Sequence, residues 1–322
     1  MPKVSVIVPI YGVEQYIERC ARALFEQTLD DIEYVFVNDC TRDRSMHILR
    51  AIIEEYPNRK KQVVIINHMS NQGLPSARKT GILAATGEYV IHCDSDDWPD
   101  INLYSAMYEK AKEFDCDVVV CDRNETDGEH AIRYKGLLSN NRDAFILDMF
   151  YIRVGWQVWN KMFRRTVYDN YIIYPVKGMG EDMALMIQLV FRCKSICYVK
   201  SSAYNYFSNM NSMVRLKTKE SCLKQFVDMC DNISVLENFL KEERMYETYK
   251  KEIEYLQFKT KCMLFPLLGD KCAYRKFSDS FPLSDYSVLL NHRVNLKERF
   301  LALLCALGLF PMPRNKYEYL LK

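Results

Sequence analysis

Hydrophobic and polar positions follow two periods along the first 100 residues, and the switching between them predicts an alternation of strands and helices. VSVIVPI at 4–10 is an unbroken β-branched apolar run that stops at Tyr11-Gly12, the pattern of a parallel strand covered on both faces. Over 14–28 the period becomes helical, with Tyr16, Ile17, Cys20, Leu24 and Phe25 on one face. IEYVFVND (32–39) reads as a second strand, followed by the loop CTRD and a helix over 45–55. VVIINH (63–68), a helix over 75–85 and a strand over 89–93 complete the run. This order predicts the α/β class: a mostly parallel sheet with right-handed crossovers and helices on both faces.

Beyond Asp97 the pattern loosens. A helix over 100–113 and a strand, DVVVCD (117–122), precede a polar stretch at 123–142 that holds a hairpin or a mobile loop. VGWQVWNKMFRR (154–165) is aromatic and basic, and GMGEDMALMIQLVFRC (178–193) reads as a helix with two acids in its first turn. From Lys219 onward Leu, Tyr, Phe and Met recur at helical spacing, so 219–322 reads as a helical region.

Composition narrows the class. Of 322 residues 49% are hydrophobic, which excludes a disordered or collagen-like chain. Lys and Arg number 44 against 42 Asp and Glu, a net charge of +2 that gives no reason to expect a nucleic acid partner. The twelve cysteines contain no Cys-x-x-Cys pair. The nearest pairs, Cys193 with Cys197 and Cys116 with Cys121, lack the His spacing of a zinc site, so buried reduced thiols in a cytoplasmic protein are expected. MPKVSVIVPIY enters a strand at once without a small-residue cleavage site, unlike a signal peptide. The longest apolar run, 300–310, falls short of the roughly 20 residues that cross a bilayer.

Ligands of such sheets bind beyond the carboxyl ends of the strands, which selects Tyr11, Asp39 and the acids at 94–97. In HCDSDDW, Asp94, Ser95, Asp96 and Asp97 stand together; they fit a hard divalent cation shared with a diphosphate, or an acidic cap to a helix starting near Pro99. Asp39 would accept the imide N–H of a uracil or close an Asx-turn over CTRD, and Tyr11 would stack on the base. Arg78 suits a ribose or diphosphate contact, or is a surface cation. Glu181 and Asp182 also have an account in the helix dipole. His92 reads as a core histidine rather than a metal ligand. Trp156 and Trp159, beside Asn160 and Lys161, read as core before acceptor-side residues.

VSVIVPIYGVEQYIERCARALFEQTLDDIEYVFVNDCTRDRS, then NQGLPSARKTGILAATGEYVIHCDSDDW, with weaker returns at VWNKMFRR and GEDMALMIQL, resembles an inverting glycosyltransferase of family 2 with the GT-A fold. The resemblance covers about two thirds of the chain. It implies a Rossmann-like catalytic domain over 1–218, with a nucleotide-binding half over 1–100 and an acceptor half over 101–218, joined to a helical region over 219–322. By the same resemblance Pro9, Tyr11 and Asp39 frame the base, Arg78, Asp94 and Ser95 meet the ribose and diphosphate, and Asp96 binds Mn²⁺ or Mg²⁺. Asp182 is the catalytic base, with Glu181 its rival. The chain departs from the usual pattern at Gly12, where Asn is frequent, and at Asn38-Asp39-Cys40, where Asp-Asp-Gly is usual.

The implied activity is metal-dependent transfer of a sugar from a nucleotide-sugar, a UDP-sugar, to a hydroxyl of a glycan or lipid-linked acceptor in cell-surface polysaccharide assembly. A non-catalytic nucleotide-sugar binding protein is the rival of another class. A sugar nucleotidyltransferase would need a Gly-rich N-terminal phosphate loop, which is missing. In 291–322 basic residues flank a short apolar helix, which suits an interfacial helix at the inner face of a membrane, a helix packed on the protein, or a homodimer contact.

Overall fold

The computed structural model describes residues 1–208 and 218–309. Its first part runs β1 (Val4–Ile10), α1 (Ile17–Phe25), β2 (Ile32–Asn38), α2 (Ser45–Glu55), α3 (Pro57–Lys60), β3 (Val63–Asn67), α4 (Leu74–Ala84) and β4 (Tyr89–His92). The strands lie in the order β3-β2-β1-β4, all parallel, as the alternation predicted. Every residue of β1 and β4 is buried, which is why neither run shows polar alternation.

The second part comprises β5 (Trp98–Pro99), α5 (Leu103–Glu113), β6 (Val118–Thr126), β7 (Ala131–Tyr134), α6 (Arg142–Phe150), β8 (Lys161–Arg164), α7 (Glu181–Arg192) and β9 (Ile196–Phe207). Here the sheet changes sense. β8 inserts antiparallel between β4 and β6, β9 runs parallel to β6, and β5 closes the edge antiparallel to β9. β8 has four residues, too few for a period to show in a sequence. The polar stretch at 123–142 resolves into a hairpin: β7 pairs antiparallel with the outer half of β6. Asp127 Oδ1 accepts from the Glu129 and His130 N–H groups and closes the turn.

From Lys219 the elements are α8 (Lys219–Glu242), α9 (Tyr246–Cys262), α10 (Lys271–Asp279), α11 (Ser284–Leu290) and α12 (Leu296–Ala306), with no strand among the described residues. Ile233, Leu236 and Phe239 of α8 share one core with Met183, Met186 and Leu189 of α7, so this layer buries the outer side of the helix that carries Glu181 and Asp182. A second core joins Phe226, Phe258, Phe277, Val288 and Ala302 across α8 to α12. A buried pair, Lys261 Nζ to Asp285 Oδ2 at 2.6 Å, ties α9 to α11. Residues 310–322 of the basic apolar segment lie outside the described residues.

The expectation of wholly reduced thiols is corrected at one place. Cys116 and Cys197, 81 residues apart, form a disulfide with their Cα atoms 6.1 Å from each other. Sequence spacing concealed this pair because β6 and β9 become neighbours only in the folded sheet, where Val118 pairs with Ile196.

Candidate active site

The site begins where β1, β2 and β4 end. Pro9 is buried inside β1 opposite Val37, and two residues on Tyr11 stands 53% exposed at the strand tip. Gly12 turns the chain with φ +69°, a conformation that Gly and Asn tolerate, so the departure from Asn at this position is physically neutral. Its N–H donates to Thr41 Oγ1 at 2.9 Å and so ties the β1 turn to the β2 turn.

Asp39, 2% exposed, binds its surroundings with both oxygens. Oδ1 accepts from the Gln72 N–H at 2.8 Å and from His68 Nδ1 at 2.7 Å, and Oδ2 accepts from the Gly73 N–H at 2.8 Å. The alternative of an Asx-turn by Asp39 over CTRD is therefore not what the chain does. Asn38 Oδ1 takes the Thr41 N–H, and Asp43 Oδ1 takes both the N–H and Oγ of Ser45. His68, whose Nε2 meets Thr80 Oγ1 at 2.9 Å, holds Asp39 from the third strand tip. The apolar run 63–68 hid it; the available signal was a polar ring directly past a strand at the edge that binds ligands. Cys40 sits at φ +58°, left-handed backbone that explains why Gly is usual there.

The acidic loop after β4 divides into an inner and an outer part. Asp97 is fully buried: Oδ1 accepts from the Phe207 N–H at 2.7 Å and Oδ2 from the Tyr204 hydroxyl at 3.0 Å. Burial, then repulsion from Asp96 and Asp94, pushes its carboxyl well above the usual range. It is a strut fastening the loop to β9, and Trp98-Pro99 form a strand rather than a helix start. Ser95 is buried as well, whereas Asp94 and Asp96 are partly exposed. Arg19 of α1 donates to the Asp96 carbonyl at 2.7 Å and lies over the Trp98 ring at 3.9 Å, which fixes the loop from its other side. Trp159 stacks on Tyr204 with centroids 4.3 Å apart and belongs to the core behind the loop, and the indole N–H of Trp156 donates to the Met149 carbonyl at 2.8 Å. His92 is a packed core histidine, its pKa drawn far down by burial and then by Arg78.

Arg78 is no surface cation. It is 5% exposed on α4, where one arm donates to Asp94 Oδ1 at 2.6 Å and the other pairs with Glu181 Oε1. This bridge joins the parallel first part of the sheet domain, through α4 and the loop after β4, to the first turn of α7. The turn itself depends on Gly180, at φ +79°, where a Cβ would meet Met229 Sδ of α8 at 2.5 Å. Glu181 is thus committed to Arg78. Asp182, next to it and partly exposed, receives the Met183 N–H at 2.8 Å. Burial raises its pKa above the ordinary 3.8, opposed by the nearby charges of Arg78 and Lys161.

Lys161 is fully buried at the start of β8 and donates to the Gly155 and Gln157 carbonyls at 2.9 Å and to Asn160 Oδ1 at 2.8 Å. Three acceptors match the three protons of an ammonium, yet burial draws its pKa down to about 7, partly offset by Asp182. The structure therefore gathers Arg78, Asp94, Glu181 and Asp182 in one cluster, with Pro9, Tyr11 and Asp39 on the adjoining strand tips.

A divalent cation fits this donor set in one way. Among the described residues no group of three His, Cys, Asp or Glu side chains converges to hold a metal ion. Asp96 and Asp94 are the two partly exposed carboxylates of the loop, a sparse set of the kind with which Mg²⁺-type ions bind when substrate phosphates complete the shell. The residues fit such an ion only together with a diphosphate.

The curled mixed sheet with a carboxylate loop at the tips of its parallel strands is the GT-A architecture of nucleotide-sugar transferases. The chain belongs to glycosyl transferase family 2, whose family model matches residues 5–193. Its relatives include EpsH of Bacillus subtilis (strain 168), which bears a glycosyltransferase name and is 31% identical over 79% of this chain and 73% of its own length. Glycosyltransferase EpsJ of the same strain is 32% identical over 68% of this chain and 65% of its own. Among solved structures, S. aureus TarS 1-349 in complex with UDP-GlcNAc superposes with a TM-score of 0.63 at 17% identity, covering 95% of this chain and 88% of that one. The mannosyltransferase PcManGT from Pyrobaculum calidifontis, in complex with GDP-Man and Mn²⁺, gives 0.55 at 14% identity over 95% of this chain and 86% of its own. The protein is a glycosyltransferase.

Proposed function

We propose that this enzyme transfers a sugar from a UDP-sugar to a hydroxyl of a glycan or lipid-linked acceptor, with inversion at the anomeric carbon, within a catalytic unit spanning 1–218. One observation carries the reading: Arg78 bridges Asp94 and Glu181, so of the two adjacent acids at the start of α7 Glu181 is engaged by a cation and Asp182 is left for proton transfer. Tyr11 and Asp39 hold the base, Arg78, Asp94 and Ser95 face the ribose and diphosphate, and Pro9 shapes the strand tip beneath them. The complexes of TarS with UDP-GlcNAc and of PcManGT with GDP-Man and Mn²⁺ support a nucleotide-sugar donor. Asp182 takes the proton of the acceptor hydroxyl as its oxygen attacks the anomeric carbon. The bond from that carbon to the diphosphate oxygen breaks, and a single displacement inverts the centre. A raised carboxyl pKa suits a base working near neutral pH. Asp96 would hold Mn²⁺ or Mg²⁺ against the diphosphate, where the ion supplies positive charge to the leaving group.

The test is calorimetry of UDP with and without Mn²⁺, on the wild type and Asp96→Ala. The reading expects Mn²⁺ to strengthen UDP binding at least tenfold and Asp96→Ala to abolish that gain. Equal affinities in all four titrations would remove Asp96 from the metal site. Tighter binding of GDP than of UDP would reassign the donor.

A further inference from the structure

We propose that the outer face of α11 and α12 is a docking surface for an anionic lipid membrane. The two helices pack side by side, joined by a five-residue turn, and their inner sides bury Val288, Ala302 and Cys305 in the second core. Their outer sides carry large apolar residues at helical spacing: Leu283 capping α11 and Tyr286 and Leu290 on it, and Leu296 and Phe300 on α12 with Leu307 at its C-cap. These are 55–77% exposed. Of the 22 exposed large apolar side chains in the described residues, seven fall within the 27 residues from Leu283 to Leu309, so the exposure is concentrated and not scattered. A surface helix needs one apolar face for its own core; α12 has two.

Charge decides which occupant the face fits. Between 271 and 309 there are six Lys or Arg against three Asp or Glu. Two of the acids are turned inward onto lysines of α9, Asp285 to Lys261 and Glu298 to Lys259. The third acid, Asp279, pairs with Arg275 of α10 at 3.5 Å, while Lys271 of α10 and Lys297 of α12 stay exposed. A second copy docking through the same patch would oppose like charges, whereas a leaflet of anionic headgroups complements them. No helix among the described residues is long and apolar enough to cross a membrane, so contact by this face would be interfacial, with the side chains reaching the headgroup boundary.

Flotation of the full chain with vesicles tests this, using phosphatidylcholine alone and phosphatidylcholine with 30% phosphatidylglycerol, an order-of-magnitude anionic content typical of a strongly charged leaflet (about one lipid in three). The expected result is at least tenfold more floated protein with the anionic vesicles, and a loss of at least tenfold in the double variant Leu290→Glu/Phe300→Glu. Both positions are exposed, so the variant should keep its melting temperature and its UDP affinity, which separates lost docking from misfolding. Failure of the wild type to float with anionic vesicles would overturn the proposal, as would equal flotation of the variant. Sedimentation of a wild-type dimer that the double variant dissolves, with no flotation of either, would assign the face to a second copy instead.

Discussion

The strand-tip edge and the C-terminal helical pair break the usual distribution of side chains in opposite directions. Past the tips of β2 and β4 and on the helices α4 and α7 that meet them, charged groups are buried: Asp39, Arg78, Asp97 and Glu181 each lie below 6% exposure and each has a named partner. On α11 and α12, apolar groups are exposed and the acids are tucked inward. Scattered exposed leucines carry little information, but buried charge and clustered exposed hydrophobics do, because each costs free energy that folding alone does not return. The first region holds its charged side chains in fixed geometry through these partners. The second lacks the polar surface that water requires of a free face.

The sharpest break of this contrast is expected at Asp182. Asp182→Asn should lower transfer by about 10²–10⁴-fold, the usual worth of a general base, with UDP affinity unchanged. Retained transfer in a product assay would return the role to Glu181. The same variant should melt higher than wild type at pH 7. A carboxyl whose native pKa lies above 3.8 holds its proton more tightly folded than unfolded, so stability falls as pH rises from 3.8 through the native pKa, and the amide removes that loss. Below about pH 3.8 the two melting curves should converge.

Arg78→Ala should cost about 3–5 kcal/mol, since it leaves Asp94 and Glu181 facing each other without their cation, measurable as a lower urea midpoint. A loss under about 1 kcal/mol would mean the bridge is a surface pair in effect. Lys161 sharpens the comparison through pH. With its pKa drawn down from 10.5 to about 7, the unfolded chain binds the extra proton, so stability should rise between those values; Lys161→Met should remove this rise. Cys40→Gly should stabilise by about 1 kcal/mol, relief of left-handed backbone less the greater freedom of an unfolded glycine. Smallest is the effect of Leu290→Glu/Phe300→Glu on folding, within about 0.5 kcal/mol, because no packed side of either helix changes.

Much of the parallel first part was legible because its strands are buried on both faces and announce themselves as apolar runs. The strand tips then follow by counting, and the acids at 94–97 stand out without a fold. Less visible was how the acids divide their labour. Asp94, Asp96 and Asp97 are equivalent in sequence, yet Asp97 is a strut because the Phe207 N–H and the Tyr204 hydroxyl, about 110 residues away, reach it. His68 went unnoticed for the same reason: its partner Asp39 lies on another strand. β8, four residues long, carries too little pattern to be read, and with it the mixed sense of the sheet was lost.

The chain alone determined what depends on local chemistry and period: the α/β alternation, the parallel order of the first strands, the helical C-terminal region, and which residue types stand at the strand ends. Tertiary structure decided which of those residues share a charge. Arg78 meets Glu181 while Asp182 only feels its charge, Cys116 meets Cys197, and the second apolar face of α12 faces outward. A residue's period is written in its neighbours along the chain. Its pairing is set by long-range packing, where the low dielectric of the interior makes each carboxylate take a partner or hold its proton.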